Sequence, residues 1–172
     1  MLKLIGSCIV LLVSSYIGFK MASQCQERPQ HIRQIISCIG SLRSHILYAC
    51  LPLHEAVAKS TNGIYGPVAL FFQNVAILLE KNTSLTPQEI IKRVLNEMEG
   101  SLILKKPEIE VLYVLGGNLG IMNCEEQEKY LSLVIEQLER FELEALRQRD
   151  LNTKMYRYLG ICGGLAIVII LL

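Results

Sequence analysis

Apolar residues recur at three- and four-residue steps along most of this chain, and strand-like alternation is absent, so the pattern predicts helices. After Pro29, which suits a first helical turn, Ile32, Ile35, Ile36, Ile39, Leu42, Ile46 and Leu47 share one face of a helix that ends ahead of Pro52. Pro52 to Lys59 reads as a short second helix, broken by Ser60-Thr61-Asn62-Gly63. Pro67 opens a third, with Val68, Phe71, Phe72, Val75, Leu78 and Leu79 inward, ended by Asn82-Thr83-Ser84. Thr86-Pro87-Gln88-Glu89 predicts a fourth start by mechanism: Thr86 caps, Pro87 takes the first position and Glu89 completes a capping box. Its buried stripe is Ile90, Ile91, Val94, Leu95 and Met98, and Gly100 marks its end.

Pro107 begins a fifth helix with Ile109, Leu112, Val114 and Leu115 inward, and Gly116 to Gly120 turns the chain. The sixth starts near Asn123 or Cys124, where Glu125 and Glu126 favour the first turn. Along it Leu131, Val134, Leu138, Phe141 and Ala145 advance as a heptad-like seam. The expected fold is therefore all-α, an antiparallel six-helix bundle with short loops.

Both ends depart from this pattern. Leu4 to Phe19 carries no charge and is fenced by Lys3 and Lys20; Tyr158 to Leu172 carries none and is fenced by Arg157. All 16 acidic residues lie between Glu27 and Asp150, so the hydrophobic share of 51% is an ordinary charged body plus two nearly bare ends. The first segment is short for a bilayer unless its lysines snorkel, and no clean small-residue cleavage site follows it. The expected organisation is an N-terminal transmembrane helix over 1–22, a cytoplasmic helical bundle over 23–153 and a C-terminal transmembrane helix over 154–172. Lys20, Arg28 and Arg33 on the inner flank of the first span, and Arg147, Arg149, Lys154 and Arg157 on the inner flank of the second, put the body in the cytoplasm by the positive-inside rule.

Charge also narrows the function. With 17 basic and 16 acidic residues the net charge is +1, and there is no tryptophan. Nucleic-acid binding by counterion release wants a basic surplus, so no nucleic acid is expected. Cys8, Cys25, Cys38, Cys50, Cys124 and Cys162 are scattered without a Cys-x-x-Cys pair, which speaks for free thiols rather than a disulfide framework. His31, Cys38, His45, Cys50 and His54 cluster in sequence but lack the pair spacing of zinc ligands, so no metal is expected. The glycines at 116, 117 and 120 lack the Lys-Ser/Thr of a phosphate loop. Glu139, Glu142 and Glu144, alternating with Arg140, Arg147 and Arg149, read as a charged outer face. No catalytic constellation emerges, so neither enzymatic activity nor a cofactor is expected.

More specific signals lie in Glu27-Arg28-Pro29 with His31-Ile32-Arg33, Pro52-Leu53-x-Glu55-Ala56, Leu115-Gly116 with Leu119-Gly120, and Lys154-Met155-Tyr156-Arg157-x-Leu159-Gly160. In this order, between two apolar ends, they resemble the stage III sporulation protein AB family of endospore-forming bacteria. The resemblance covers the whole chain. It implies a protein of the mother cell in the outer forespore membrane. It also implies partners in a sporulation-specific transenvelope complex, including a cytoplasmic secretion-type ATPase, and a body like the cytoplasmic domain of the type II secretion platform protein. The chain departs from the family's acidic tendency at Arg43 and His45. On this reading the protein is a structural adaptor, with Arg28, Arg33 and Glu55 as candidate partner contacts. The alternative is a membrane-tethered sensor or small-ligand-binding module, with a pocket lined by His31, His45 or Cys38.

Overall fold

The computed structural model describes residues 27–81, 84–120 and 123–171, with the backbone alone for 124, 152–154 and 156–171. Among the described residues there are six helices and no strand. They are α1 (27–47), α2 (Leu53–Ser60), α3 (Pro67–Glu80), α4 (Pro87–Glu97), α5 (Lys106–Asn118) and α6 (Cys124–Leu171). The chain divides into two compact units, Met1–Pro29 with Leu143–Leu172, and Gln30–Glu142. The expected N-terminal span lies outside the described residues. The expected C-terminal span falls where the backbone alone is described, helical to Leu171. Among the described residues no helix is long and apolar enough to cross a membrane.

Local chemistry sets most boundaries. Thr86 Oγ1 accepts the Glu89 amide at 3.3 Å while Glu89 Oε2 accepts the Thr86 amide at 2.8 Å, so the expected capping box is present. These bonds from Thr86 favour the charged carboxylate and hold Glu89 below its ordinary pKa. Pro67 stands at the first position of α3 behind Gly66, whose φ of +90° suits a residue without Cβ. Asn123 Oδ1 accepts the Glu126 amide at 2.8 Å and so caps α6. At the end of α2, Ser60 Oγ and Thr61 Oγ1 donate to the carbonyls of Val57 and Ala58.

In the Gln30–Glu142 unit, α2 packs on α3, α3 on α4, and α4 on α5. The buried face of α1 is Ile32, Ile35, Cys38, Ile39 and Leu42. Ile36, Ile46 and Leu47, expected on that face, are half-buried. On α3, Phe71 and Phe72 meet edge to face with centroids 5.1 Å apart. Leu131, Val134, Leu138 and Ala145 of the α6 seam are buried, and Phe141 is half-buried.

Two inward faces differ from expectation. On α3, Ala69 and Ala76 are buried, whereas Leu78 and Leu79 are half-buried. On α5 the buried side chains are Glu108, Val111, Leu112 and Leu115; Ile109 and Val114 face outward. Gly116 differs from expectation as well. It is helical, not part of a turn, and α5 continues to Asn118. A Cβ on Gly116 would lie 2.9 Å from Gln88 Cα. α4 and α5 therefore approach closely at this point, where glycine leaves the room. The chain turns later, at Gly120, with φ +80°.

Candidate functional site

Each candidate contact residue is held by a different partner. Arg28, in the terminal unit, is buried, and its Nη1 donates to Gln148 Oε1 at 2.8 Å. Gln148 Nε2 donates in turn to Glu144 Oε1 at 2.9 Å, one turn back along α6. Arg33, in the other unit, donates from Nε to Glu142 Oε1 at 2.7 Å, with Nη2 also 2.7 Å away. Its side chain is 70% exposed and that of Glu142 only 14%, so the carboxylate is enclosed while the arginine borders solvent. Glu142 is therefore not part of a charged outer face. Its place beside Phe141, at the edge of the α6 seam, brings it under Arg33.

A further bond follows the same register. Arg43 Nη1 donates to Ser132 Oγ at 2.9 Å, and Ser132 Oγ donates to the Glu128 carbonyl at 2.8 Å. From Arg33 to Arg43 the chain advances ten residues along α1, and from Glu142 to Ser132 it retreats ten along α6. Equal and opposite steps define an antiparallel pairing of α1 and α6, fixed by two guanidinium groups at the edge of the apolar seam. Directional bonds of this kind set register in a way that apolar contacts alone do not.

Glu55 sits on α2 and pairs with Lys59 at 2.8 Å. The hydrogen bond and charge of Lys59 hold its carboxyl below the ordinary value. Glu55 also lines a shallow groove of about 510 Å³ between α2 and α3, with His54 on one wall and Ile77 and Glu80 on the other. A second groove, of about 470 Å³, runs between α5 and α6, with Val114 and Leu133 on opposite walls. These two side chains are 46% and 63% exposed, although apolar. The grooves depend on how helices meet, and residue spacing within one helix carries no signal for them.

The small-ligand alternative fares differently. His31 is buried and its Nδ1 accepts the Ile103 amide at 3.1 Å, which places the ring proton on Nε2. Cys38 is fully buried, and burial pushes its thiol up to about 12. A protonated thiol is a poor ligand and nucleophile. His45 is half-buried. Among the described residues, no three His, Cys, Asp or Glu side chains are placed to hold a metal ion.

The geometry thus defines a class, a helical bundle whose first and last helices are locked antiparallel by arginine bonds. Residues 3–172 match the family model of stage III sporulation protein AB, and the chain belongs to that family. It is 33% identical to stage III sporulation protein AB of Bacillus subtilis (strain 168) over 172 residues, covering all of both chains. It is also similar to a solved structure of stage III sporulation protein AB (SpoIIIAB), at 32% identity and a TM-score of 0.66, covering 73% of this chain and 98% of the other.

Proposed function

We propose that this stage III sporulation protein is a membrane-anchored structural adaptor in the secretion-like channel complex between mother cell and forespore. The body faces the mother-cell cytoplasm from the outer forespore membrane, and the two charge-free ends anchor it. A cytoplasmic secretion-type ATPase is the partner the body meets on this reading, by analogy with the platform protein of type II secretion. Arg33 and Glu55 are the exposed candidates for that contact. The protein has no catalytic role on this reading; a locked bundle transmits position or force rather than chemistry.

One observation carries the proposal: the family match runs from residue 3 to residue 172, so it takes in the two charge-free ends together with the body. Arginine bonds between α1 and α6 support it, because a body carried by two helices must resist sliding of one past the other. The test is sporulation and complex assembly in cells carrying Arg33→Glu with Glu142→Arg. The exchange keeps the internal pair and reverses the charge that Arg33 presents. Loss of assembly with normal protein level supports the contact; full activity removes Arg33 from it.

A further inference from the structure

α6 changes sign along its length. From Glu125 to Glu144 it carries seven acidic residues and two basic ones; from Arg147 to Arg157 it carries four basic residues and Asp150 alone. Two ordinary reasons for a basic cluster on a helix do not account for the whole of this one. The helix dipole rewards cations only in the last turn, and α6 runs on to Leu171. Intrahelical ion pairing covers only part of it: Glu144 and Asp150 lie three residues either side of Arg147, and Asp150 four before Lys154, but Glu144 already accepts from Gln148 and two acids face four cations. Arg149 has its adjacent neighbour Asp150 at 2.8 Å, which offsets one charge of the four.

The same segment exposes apolar side chains. Leu151 is 71% exposed and Met155 is 47% exposed. A charge-free run begins three residues later, at Tyr158. Cations interleaved with exposed apolar groups, followed by a bare apolar continuation, match a helix entering a bilayer through anionic headgroups and the acyl boundary into hydrocarbon. An acidic protein or a nucleic acid would answer the cations and leave Leu151 and Met155 unsatisfied.

We propose that the Arg147–Arg157 segment of α6 seats on anionic lipid headgroups, with Leu151 and Met155 dipping to the acyl boundary. This rests on the membrane-anchored reading and adds the lipid class to it. The seat makes the position of α6 at the membrane depend on lipid charge and on salt.

The chain has no tryptophan, so Leu151→Trp in the full-length protein gives a single reporter. The protein is reconstituted into vesicles of phosphatidylcholine alone and of phosphatidylcholine with phosphatidylglycerol. The expected result is blue-shifted emission, quenched by brominated lipid, in the anionic vesicles only, and reversed by added salt. Arg147→Gln and Arg149→Gln in this background each lower the ratio of seated to free reporter about fivefold. Equal emission in both vesicle types, from protein that resists carbonate extraction in both, overturns the lipid contact and leaves the anchoring standing. Protein that carbonate extracts from both overturns the anchoring and the lipid contact with it. A blue shift produced by RNA or a soluble acidic peptide without lipid assigns the segment to another partner and overturns the proposal.

Discussion

The ring of His31 on α1 accepts the backbone amide of Ile103 at 3.1 Å, across 72 positions of chain. It ties the connection between α4 and α5 to the first helix. The bond needs a neutral ring with Nδ1 free to accept, and it satisfies a donor that the short connection leaves outside any helix. His31→Phe keeps an aromatic ring and removes the acceptor. Chemical denaturation followed by circular dichroism should show a loss of about 1–3 kcal/mol, and hydrogen exchange at Ile103 should quicken. His31→Gln, which retains an acceptor, should lose less.

The Arg33–Glu142 pair should behave as a coupled unit. Arg33→Ala leaves an enclosed carboxylate without its cation, and we expect a loss of about 1 kcal/mol in low salt, less in high salt. Glu142→Ala should cost a similar amount. The charge-exchanged double variant should recover most of the loss, and urea unfolding of the four proteins in a double-mutant cycle measures the coupling.

Adjacent glycines in α5 should respond oppositely. A Cβ at position 116 meets the α4 backbone at Gln88 Cα, 2.9 Å away, and Ile91 Cδ1 at the same distance. Gly116→Ala should therefore destabilise by about 1–3 kcal/mol, because a backbone must move. At position 117 the nearest atoms belong to the flexible Gln88 side chain, at 3.4 Å. Gly117→Ala should be neutral or stabilising by up to about 1 kcal/mol, since alanine favours the helix. Thermal melts of the two variants decide it.

Cys38 sets an alkaline limit. Its folded pKa lies near 12, above the ordinary 9.0. Below 9 the thiol is neutral in both states and adds no slope. Between these values the unfolded chain has lost a proton that the folded chain keeps, so stability falls as pH rises, by at most about 1.4 kcal/mol per pH unit. Cys38→Val should remove this part of the slope in urea titrations from neutral to alkaline pH. In single-cysteine variants, exposed Cys50 should react with a maleimide while Cys38 stays unmodified until the protein unfolds.

What the sequence disclosed depended on the range of the signal. The α4 start was legible because its capping box spans four consecutive residues, Thr86 to Glu89. The α6 seam was legible because Leu131, Val134 and Leu138 repeat within one helix. The rotation of α5 was not, because outward-facing Ile109 and Val114 are as apolar as buried Val111; nor was the α4 backbone beside Gly116, which leaves no mark in the sequence. The lock between α1 and α6 was hidden for the same reason. Arg33 and Glu142 are 109 positions apart, and each alone reads as a solvated charge. Arg28 and Glu55 are equally ambiguous in sequence; only their neighbours show that the first is enclosed and the second open to a groove.

The account rests on a body held on the cytoplasmic side by anchors at both ends. Cys50 lies exposed just beyond α1, in a left-handed bend with φ 48°. In a variant retaining only this cysteine, expressed in vegetative cells so that the protein stands in the cytoplasmic membrane, a membrane-impermeant maleimide should fail to label intact cells and should label fully once the membrane is opened. Labelling of Cys50 from outside intact cells would contradict the orientation, and the cytoplasmic ATPase partner with it.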